Sequence, residues 1–286
     1  MKFFLLLITT TLLLSASNAF INVEDLKKEM TLHPVVLLDT TDIQTFKLGH
    51  IPVAQHVDLA DFRHHEKKYQ LINSSKKIQK IAKRLGINNN SRVVLYGHNK
   101  PKELLKASYI ALAFIANGLE NVSILNGGYD DWVFSFPGFI SQETTKIKKG
   151  DFVAKFNPNI LVDLEYVKAH IGKTPMIEAR PLRYFNAQAQ SSGVRRLGHI
   201  AQAKSSAWSN KFDNDHCIKS NKELEEIYLN KNGLNPKEEV ITYCTGGLEA
   251  SMNWFILYKH LHFTDVKIYD ASMREWGNRD DTPMEK

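Results

Sequence analysis

Short apolar runs alternate with segments of helical periodicity along the chain, and the same order of segments occurs twice. Each apolar run predicts a buried strand, and the segments between the runs include apolar residues at the spacing of an amphipathic helix. Self-similarity over such a distance is typical of a repeated structural unit. The predicted strands are 35–39, 93–96 and 122–125 in the first copy and 176–180, 240–243 and 266–269 in the second, and the helical patterns are 104–117 and 250–261.

Marker residues occur in both copies in the same order and at a nearly constant separation. A Gly-His-Ile follows the first predicted strand, a Tyr ends the second strand, and a Trp closes the copy. Unrelated α/β segments could share short strands, but not this order of markers. The markers are Gly49-His50-Ile51, Tyr96 and Trp132 in the first copy and Gly198-His199-Ile200, Tyr243 and Trp276 in the second.

Alternation of strands with helical segments predicts an α/β fold with a mainly parallel sheet flanked by helices in each copy. The 286 residues are enough for two such domains in tandem. We place the first domain at 20–136 and the second at 159–286. The polar, Lys-rich segment 137–158 lacks periodicity and is predicted to be the linker. Ligands bind such sheets beyond the carboxyl ends of the strands.

The N-terminus has the pattern of a secretory signal peptide over residues 1–19. Lys2 precedes an apolar run at 3–14, and the small residues Ser17 and Ala19 predict cleavage before Phe20. A retained membrane anchor is the alternative, but the run is shorter than the roughly 20 residues that span a bilayer. We therefore expect an exported, periplasmic protein with no stable membrane span after processing.

Composition and charge indicate which classes of protein and partner remain. The chain is 43% hydrophobic and 24% charged, as in ordinary soluble domains, and its net charge of +6 is spread along the sequence. A mild positive charge favours small anions, although it is equally consistent with a solvated basic surface. No nucleic-acid motif is present, so we expect no nucleic-acid partner. The two cysteines, Cys217 and Cys244, occur in different contexts, and a disulfide between them is the less favoured alternative.

Cys244 is the candidate nucleophile. It follows the predicted strand 240–243 and begins a short loop with Gly246 and Gly247, and a helix is expected from about Ala250. Backbone amides in such a loop can point inward and form an anion-binding nest, to which the helix N-terminus adds partial positive charge. A thiol at the first loop position should therefore have a lowered pKa. The alternative is a buried cysteine that only fills space at the end of a strand.

Several motifs together resemble one family, the tandem-domain rhodaneses, which comprise thiosulfate and 3-mercaptopyruvate sulfurtransferases. They are the Gly-His-Ile of each copy, the Tyr243-Cys244 step into a six-residue loop, and the Trp254-Phe255 pair in the following helix. The closing stretch from Tyr269 to Gly277, with Asp281-Thr282-Pro283 after it, is also similar. The resemblance covers about residues 21–284.

This resemblance implies a two-step sulfur transfer without a metal or an organic cofactor. Cys244 would take sulfane sulfur from a small anionic donor, 3-mercaptopyruvate or thiosulfate, and pass it as a persulfide to a thiol or cyanide. The small neutral residues Thr245 and Gly246 favour mercaptopyruvate. The first copy has Gly97 where the second has Cys244, which implies a catalytically silent domain.

The resemblance also implies which residues bind the donor. The loop residues are expected to hold the transferred sulfur, and arginines after the first strand of the second copy are expected to bind the donor carboxylate. The family position most expected to be Arg is occupied by Tyr184. The expected binding residues are Thr245, Gly246, Gly247, Leu248 and Glu249 of the loop, with Arg180, Arg183 and Arg196.

Two residues depart from the family pattern. Glu178 replaces the usual Asp, and Glu249 stands where Thr or Arg is usual. A carboxylate at 249 would oppose an anionic donor, unless its side chain points away to an Arg outside the loop, or the protein uses an unusual donor or has lost activity. A non-catalytic binding or sulfur-sensing module is therefore the alternative function. Burial of Cys244 in the core, or a bond to Cys217, would argue against the enzyme.

Overall fold

The computed structural model describes residues 18–286, so the predicted signal peptide lies almost entirely outside the described residues. From Phe20 to Ser135 the chain forms ten β and α elements before the long helix of this half, and three elements from that helix on. Their bounds are β1 Phe20–Ile21, α1 Val23–Leu32, β2 Val35–Asp39, α2 Ile43–Leu48, β3 Gln55–His56, α3 Leu59–Phe62, β4 Arg63–Glu66, β5 Tyr69–Ile72, α4 Ser75–Arg84, β6 Arg92–Tyr96, α5 Pro101–Ile115, β7 Val122–Leu125 and α6 Gly128–Ser135.

The second half repeats this plan with shorter helices. A 3₁₀ turn covers Trp208–Lys211, and π-helical turns at Glu226–Lys231 and Ile256–His260 extend two of the α-helices. The bounds are β8 Leu161–Val162, α7 Leu164–His170, β9 Met176–Glu178, α8 Leu182–Phe185, β10 His199–Ile200, β11 Lys204–Ser205, α9 Asn221–Glu225, β12 Glu239–Tyr243, α10 Leu248–Phe255, β13 Asp265–Tyr269, α11 Ser272–Trp276 and β14 Met284–Glu285.

Sheet topology confirms the internal repeat. The first sheet has the order β1-β7-β6-β2-β3 and the second has the order β8-β13-β12-β9-β11, so each strand has its counterpart at the same place. All pairs within these two sheets are parallel. Two small antiparallel pairs, β4 with β5 and β10 with β14, lie outside the sheets. The predicted α/β fold with two tandem domains is confirmed.

The repeated markers have repeated structural roles. The phenol oxygen of Tyr96 accepts a hydrogen bond from the Ile51 amide at 3.1 Å, and that of Tyr243 accepts one from the Ile200 amide at 3.1 Å. His199 stacks on Phe185 with ring centroids 3.6 Å apart. These contacts fix the turn after the first long strand of each copy, so the histidine has a structural role.

One large apolar cluster spans both domains, and two smaller clusters are separate from it. Helix α5 is buried on nearly all sides, because it packs against its own sheet and against α10 of the other domain. At their contact, the hydroxyls of Ser108 and Ser251 are hydrogen-bonded at 2.8 Å. The carboxyl ends of β6 and β12, where the two loops begin, are therefore held in a fixed relation to each other.

The predicted linker is attached to the first domain at several points, although it has no helix or strand of its own and most of its residues are exposed. Phe152 is fully buried, and its amide donates to the Ile87 carbonyl at 3.1 Å. The Gly150 amide donates to Lys83 at 2.9 Å, and the Lys155 amide to Asn117 at 2.8 Å. These backbone bonds attach the segment to the first domain, which its lack of periodicity could not reveal. Across residues 18–286, no helix has the length and apolarity needed to cross a membrane.

Candidate active site

Cys244 lies at the centre of the second sheet's carboxyl edge. It follows β12, which has β9 on one side and β13 on the other, so neighbouring strands end around it. Helix α10 begins at Leu248, two residues earlier than the sequence pattern indicated. This strand–loop–helix arrangement is the one in which α/β sheets bind ligands.

The loop amides surround the sulfur as expected. The Gly247 amide donates a hydrogen bond to the Cys244 Sγ at 3.1 Å. The amides of Ala250 and Gly246 also lower the pKa of the thiol. The Cys244 amide itself donates to the Ser272 hydroxyl at 3.0 Å, which ties the loop to α11. An anion at this position would therefore have backbone donors on several sides.

The expected lowering of the thiol pKa is wrong. Cys244 is fully buried, and burial raises the pKa of its thiol to about 12, with the charge of Glu249 acting in the same direction. The loss of hydration of the thiolate outweighs the amide hydrogen bonds. The thiol is thus protonated at neutral pH and has no exposed surface. Both cysteines are free, so the disulfide alternative is excluded in this structure.

Glu249 faces the thiol and does not point away from it. Burial raises the pKa of its carboxyl, while the Thr245 amide and the positive charges of Arg180 and Arg274 oppose that effect. Among the described residues, Glu249 forms no ion pair at contact distance. Its negative charge therefore acts directly on the sulfur.

Arg180 lies near the loop, but its donors have internal partners. Its Nε pairs with the buried Glu178 carboxylate, its Nη1 donates to the Ser191 hydroxyl at 3.0 Å, and its Nη2 donates to the Gly198 carbonyl at 2.8 Å. Its positive charge still acts on Cys244. The buried pair also accounts for Glu178, since the carboxylate there holds the guanidinium in place. Arg180 supplies charge more readily than new hydrogen bonds.

Arg183 and Arg196 form no hydrogen bond with the loop, and among the described residues their guanidinium groups have other partners. The exposed Arg183 lies over the Tyr184 ring, 4.8 Å from the centroid, and donates to the Tyr184 hydroxyl at 3.2 Å. Arg196 donates to the carbonyls of Thr282 and Trp276, both at 2.9 Å. Arg196 therefore holds the C-terminal segment against its domain. Nearness in sequence to the first strand did not determine where these side chains point.

Arg274 is a site residue that sequence reasoning did not single out. A Cβ at Gly246 would lie 3.3 Å from the Arg274 Cδ and 3.6 Å from its Nε and Nη1, so the side chain runs along the loop. The Arg274 amide donates to the Thr245 carbonyl at 2.9 Å. The available signal was its position shortly after the strand 266–269, whose carboxyl end lies beside that of 240–243.

The first domain contributes a second arginine to the loop. Arg63 begins β4 and is nearly fully buried, and its Nη2 donates to the Gly246 carbonyl at 2.6 Å. Its guanidinium carbon lies 4.6 Å from the centroid of the Tyr109 ring. A residue from the first domain therefore fixes the orientation of a peptide unit in the cysteine loop. No motif in the sequence indicated this contact.

Behind the loop, Asp270 links both domains. The Tyr109 hydroxyl donates to its carboxylate at 2.8 Å, and the Ile72 amide donates to it at the same distance. Burial raises the pKa of Asp270 to about 6, against the opposing charge of Arg63. Gly247 has a φ of +90°, and a Cβ there would lie 2.1 Å from the Asp270 Oδ1. Only glycine fits between the loop and this carboxylate.

The corresponding loop of the first domain has no nucleophile. At Gly97, a Cβ would lie 2.8 Å from the Glu103 Cβ and 2.9 Å from the Thr40 hydroxyl. The Glu103 carboxylate accepts a hydrogen bond from the His98 amide at 2.6 Å, so it occupies one amide donor of that loop. His98 itself pairs with Asp130 at 3.0 Å. The space that a cysteine would need is filled.

A cavity of about 560 Å³ lies between the β4–β5 hairpin and the second domain, lined among others by Tyr69, Tyr269, Asp270 and Glu275. Cys244 is not among its lining residues. Across residues 18–286, no three His, Cys, Asp or Glu side chains are grouped so as to hold a metal ion.

Comparisons with known proteins agree with this architecture. A family model described as a Rhodanese-like domain matches residues 22–135 and 163–279. The sulfur carrier protein TtuD of Thermus thermophilus is 29% identical over 259 residues, which cover 86% of this chain and 88% of that protein. The 3-mercaptopyruvate sulfurtransferase of Escherichia coli K12 is 29% identical over 252 residues, covering 86% and 87%. The wild-type structure of EanB aligns with a TM-score of 0.83 at 20% identity, covering 94% of this chain and 69% of that one.

Proposed function

This chain belongs to the rhodanese family, with two Rhodanese-like domains in tandem, and on that premise we propose that it is a sulfurtransferase whose sulfur carrier is Cys244. The relatives described above are named for sulfur transfer or sulfur carriage. The proposed donor is a small anion, 3-mercaptopyruvate or thiosulfate, and the proposed acceptor is a thiol or cyanide.

The observation that carries the proposal is the hydrogen bond from the Gly247 amide to the Cys244 Sγ at 3.1 Å, in a loop at the centre of a parallel sheet edge. The same amides that approach the thiol would stabilise a persulfide anion on it. The equivalent loop of the first domain has Gly97 and a carboxylate in this space, so one site per chain is proposed.

The proposed chemistry has two steps. The Cys244 thiolate attacks the donor sulfur, and the bond from that sulfur to the rest of the donor breaks. With thiosulfate the electron pair leaves on sulfite; with 3-mercaptopyruvate it leaves as pyruvate enolate, which takes up the proton lost by the thiol. An acceptor thiolate or cyanide then attacks the outer sulfur and regenerates Cys244. The split into two displacements is covalent catalysis.

Two properties of the resting site must change for this reaction. The thiol is inaccessible and protonated, so donor binding must displace side chains over the loop and favour the thiolate. These same properties favour the second candidate, a non-catalytic binding or sulfur-sensing module. Glu249 also favours that candidate, since its charge opposes the thiolate and the anionic donor alike.

Intact-mass measurement after exposure to each donor distinguishes the two candidates. The sulfurtransferase gains the mass of one sulfur atom with 3-mercaptopyruvate or thiosulfate, and loses it to cyanide as thiocyanate over repeated turnovers. Cys244→Ser abolishes the gain, whereas the matched variant Cys217→Ser retains it. Loading without turnover supports the sensing module, and the absence of loading with either donor rejects the sulfurtransferase.

We also propose that the protein is exported, on the basis of the signal pattern at residues 1–19. The Ala19 carbonyl accepts a hydrogen bond from the Ile124 amide at 2.8 Å, and cleavage after Ala19 would remove this bond while leaving β1. N-terminal sequencing of the protein from a periplasmic fraction is expected to begin at Phe20. A mature chain that begins at Met1 in the cytoplasm would contradict the proposal.

A further inference from the structure

Arg274 is held firmly by its backbone but not by its side chain. Its amide donates to the Thr245 carbonyl at 2.9 Å, and its carbonyl accepts from the Asn278 side-chain amide at 2.8 Å. Within residues 18–286, no hydrogen bond or ion pair at contact distance is formed by its guanidinium. The start of the side chain is therefore fixed beside the loop while its charged end remains available.

The side chain lies between two glycines. The Arg274 Cδ is 3.3 Å from where a Gly246 Cβ would be, and its Nε is 3.6 Å from where a Gly193 Cβ would be. A Cβ at Gly246 would press on the arginine, whereas one at Gly193 would be in ordinary van der Waals contact with it. The absence of side chains on both sides leaves a channel for a long, partly exposed cation directly over the second peptide of the cysteine loop.

The other arginines around the loop are each held by hydrogen bonds of their guanidinium groups, although the buried Nε atoms of Arg63 and Arg196 have no partner among the described residues. Arg63 donates to the Gly246 carbonyl, and Arg180 is bound to Glu178 and its neighbours. Arg196 donates to carbonyls of the C-terminal segment. Breaking these bonds to bind a ligand would leave buried polar groups without partners, which is unfavourable. Arg274 can bind an anion without such a loss.

We propose that Arg274 binds the anionic group of the sulfur donor and so determines the donor class that Cys244 accepts. The inference rests on the proposed function. A planar guanidinium offers two parallel donors to a carboxylate or a sulfonate. An anion bound there lies beside Gly246, two residues from Cys244, so the donor's sulfur is directed towards the thiol. Arg274 thereby performs the donor recognition that was expected of Arg183 and Arg196.

The charge of Arg274 also explains how the site can bind an anionic donor close to Glu249. Arg274 and Arg180 both act on the Glu249 carboxylate. Because the charge of Arg180 is already paired with Glu178, Arg274 supplies the positive charge that offsets Glu249. Without Arg274, the remaining charges would be those of Glu249 and of the internally paired Arg180, and an anion would be repelled.

The test compares Arg274→Gln with the matched control Arg279→Gln, which removes the same charge from an exposed arginine in the same segment, bound to Asp281. Kinetics are measured with 3-mercaptopyruvate and with thiosulfate. As the uncharged comparison, the rate of labelling of Cys244 by a dialkyl trisulfide is measured, in which the thiolate attacks an outer sulfur, forms a mixed disulfide and releases the alkyl persulfide. For Arg274→Gln we expect KM for both anions to rise about 10- to 100-fold, with the rate of labelling by the trisulfide unchanged within about 2-fold. For Arg274→Lys, which retains the charge but not the planar fork of donors, KM for both anions should lie between the values of the wild type and Arg274→Gln. The control should match the wild type.

Equal losses with the anions and the uncharged trisulfide would overturn the inference, because they indicate a structural role. Unchanged KM values for the anions would overturn it as well. Calorimetric binding of thiosulfate in the Cys244→Ser background provides a readout that does not need turnover. If the wild type transfers no sulfur but Arg274→Gln still weakens thiosulfate binding at least 10-fold, the proposed function fails and the anion site stands. If binding is unaffected, the anion site fails.

Discussion

Replacing Glu249 by Gln tests the electrostatic origin of the raised thiol pKa. The substitution removes one negative charge beside Cys244 and nearly preserves the shape of the side chain. Burial is the larger cause of the pKa of about 12, and the charge of Glu249 is the second. The variant retains the burial and loses the charge. We therefore expect the pKa of Cys244 to fall, but not to the value of a solvated cysteine.

The size of the fall follows from Coulomb's law applied at a short separation between the Glu249 carboxylate and the Cys244 sulfur. A unit charge about 5 Å away, at an effective dielectric constant of about 20, contributes about 3 kcal/mol, or roughly two pKa units. Because Glu249 is partly exposed, solvent screening reduces this value. We expect a fall of about one to two units. Since nucleophilicity falls with basicity, with a Brønsted coefficient of about 0.4–0.5, the reaction of the thiol at pH 8 should become about 3- to 15-fold faster.

The assay is labelling of Cys244 by a small, uncharged thiosulfonate, in a Cys217→Ser background and over a range of pH. A change in access multiplies the rate equally at every pH, whereas a lower pKa makes the rate level off at a lower pH. The variant should level off at about pH 10–11 while the parent continues to rise. Glu238→Gln is the control, because this exposed residue lies at the opposite end of β12. If the labelling rate of Glu249→Gln differs from that of the parent by the same factor at every pH, the reasoning is refuted.

Three further predictions concern the contacts that hold the loop. Gly247→Ala should lower the free energy of unfolding by roughly 2–4 kcal/mol in a urea titration, because Gly247 has a positive φ and lies close to Asp270. The control is Gly138→Ala, since Gly138 also has a positive φ but a Cβ there would meet nothing within 4 Å. Its free energy of unfolding should fall by only about 1 kcal/mol in the same titration. Arg63→Met removes a charged donor from the Gly246 carbonyl and should lower the free energy of unfolding by about 1.5–3 kcal/mol. A variant as stable as the wild type would contradict the role of this bond. Asp270 has a pKa raised from 3.8 to about 6, so the folded state binds its proton more tightly and stability should fall by about 3 kcal/mol as pH rises from about 4 to 6. Asp270→Asn should remove that fall, and its persistence in urea titrations across this range would assign the effect to another group.

Local patterns in the chain were sufficient for the architecture. Strand and helix periodicity recurred in the same order, and the structure confirms that the two sheets have equivalent strand orders. The position of Cys244 at the end of a central strand, with Gly247 donating to its sulfur, also followed from a strand, a glycine-bearing loop and a helix in succession. These features depend on residues within a few positions of one another, so they can be predicted from short segments of the sequence.

The protonation state of the Cys244 thiol and the identity of its neighbours could not be predicted from local sequence patterns. The pKa of Cys244 depends on how completely other segments exclude water and on the direction in which Glu249 points. Arg63 reaches the loop from the first domain, and Arg274 from the segment after β13. Arg183 and Arg196, which are nearer to the first strand in sequence, have other partners. Desolvation and Coulomb interactions depend on distances in space, and packing sets those distances between residues far apart in the chain.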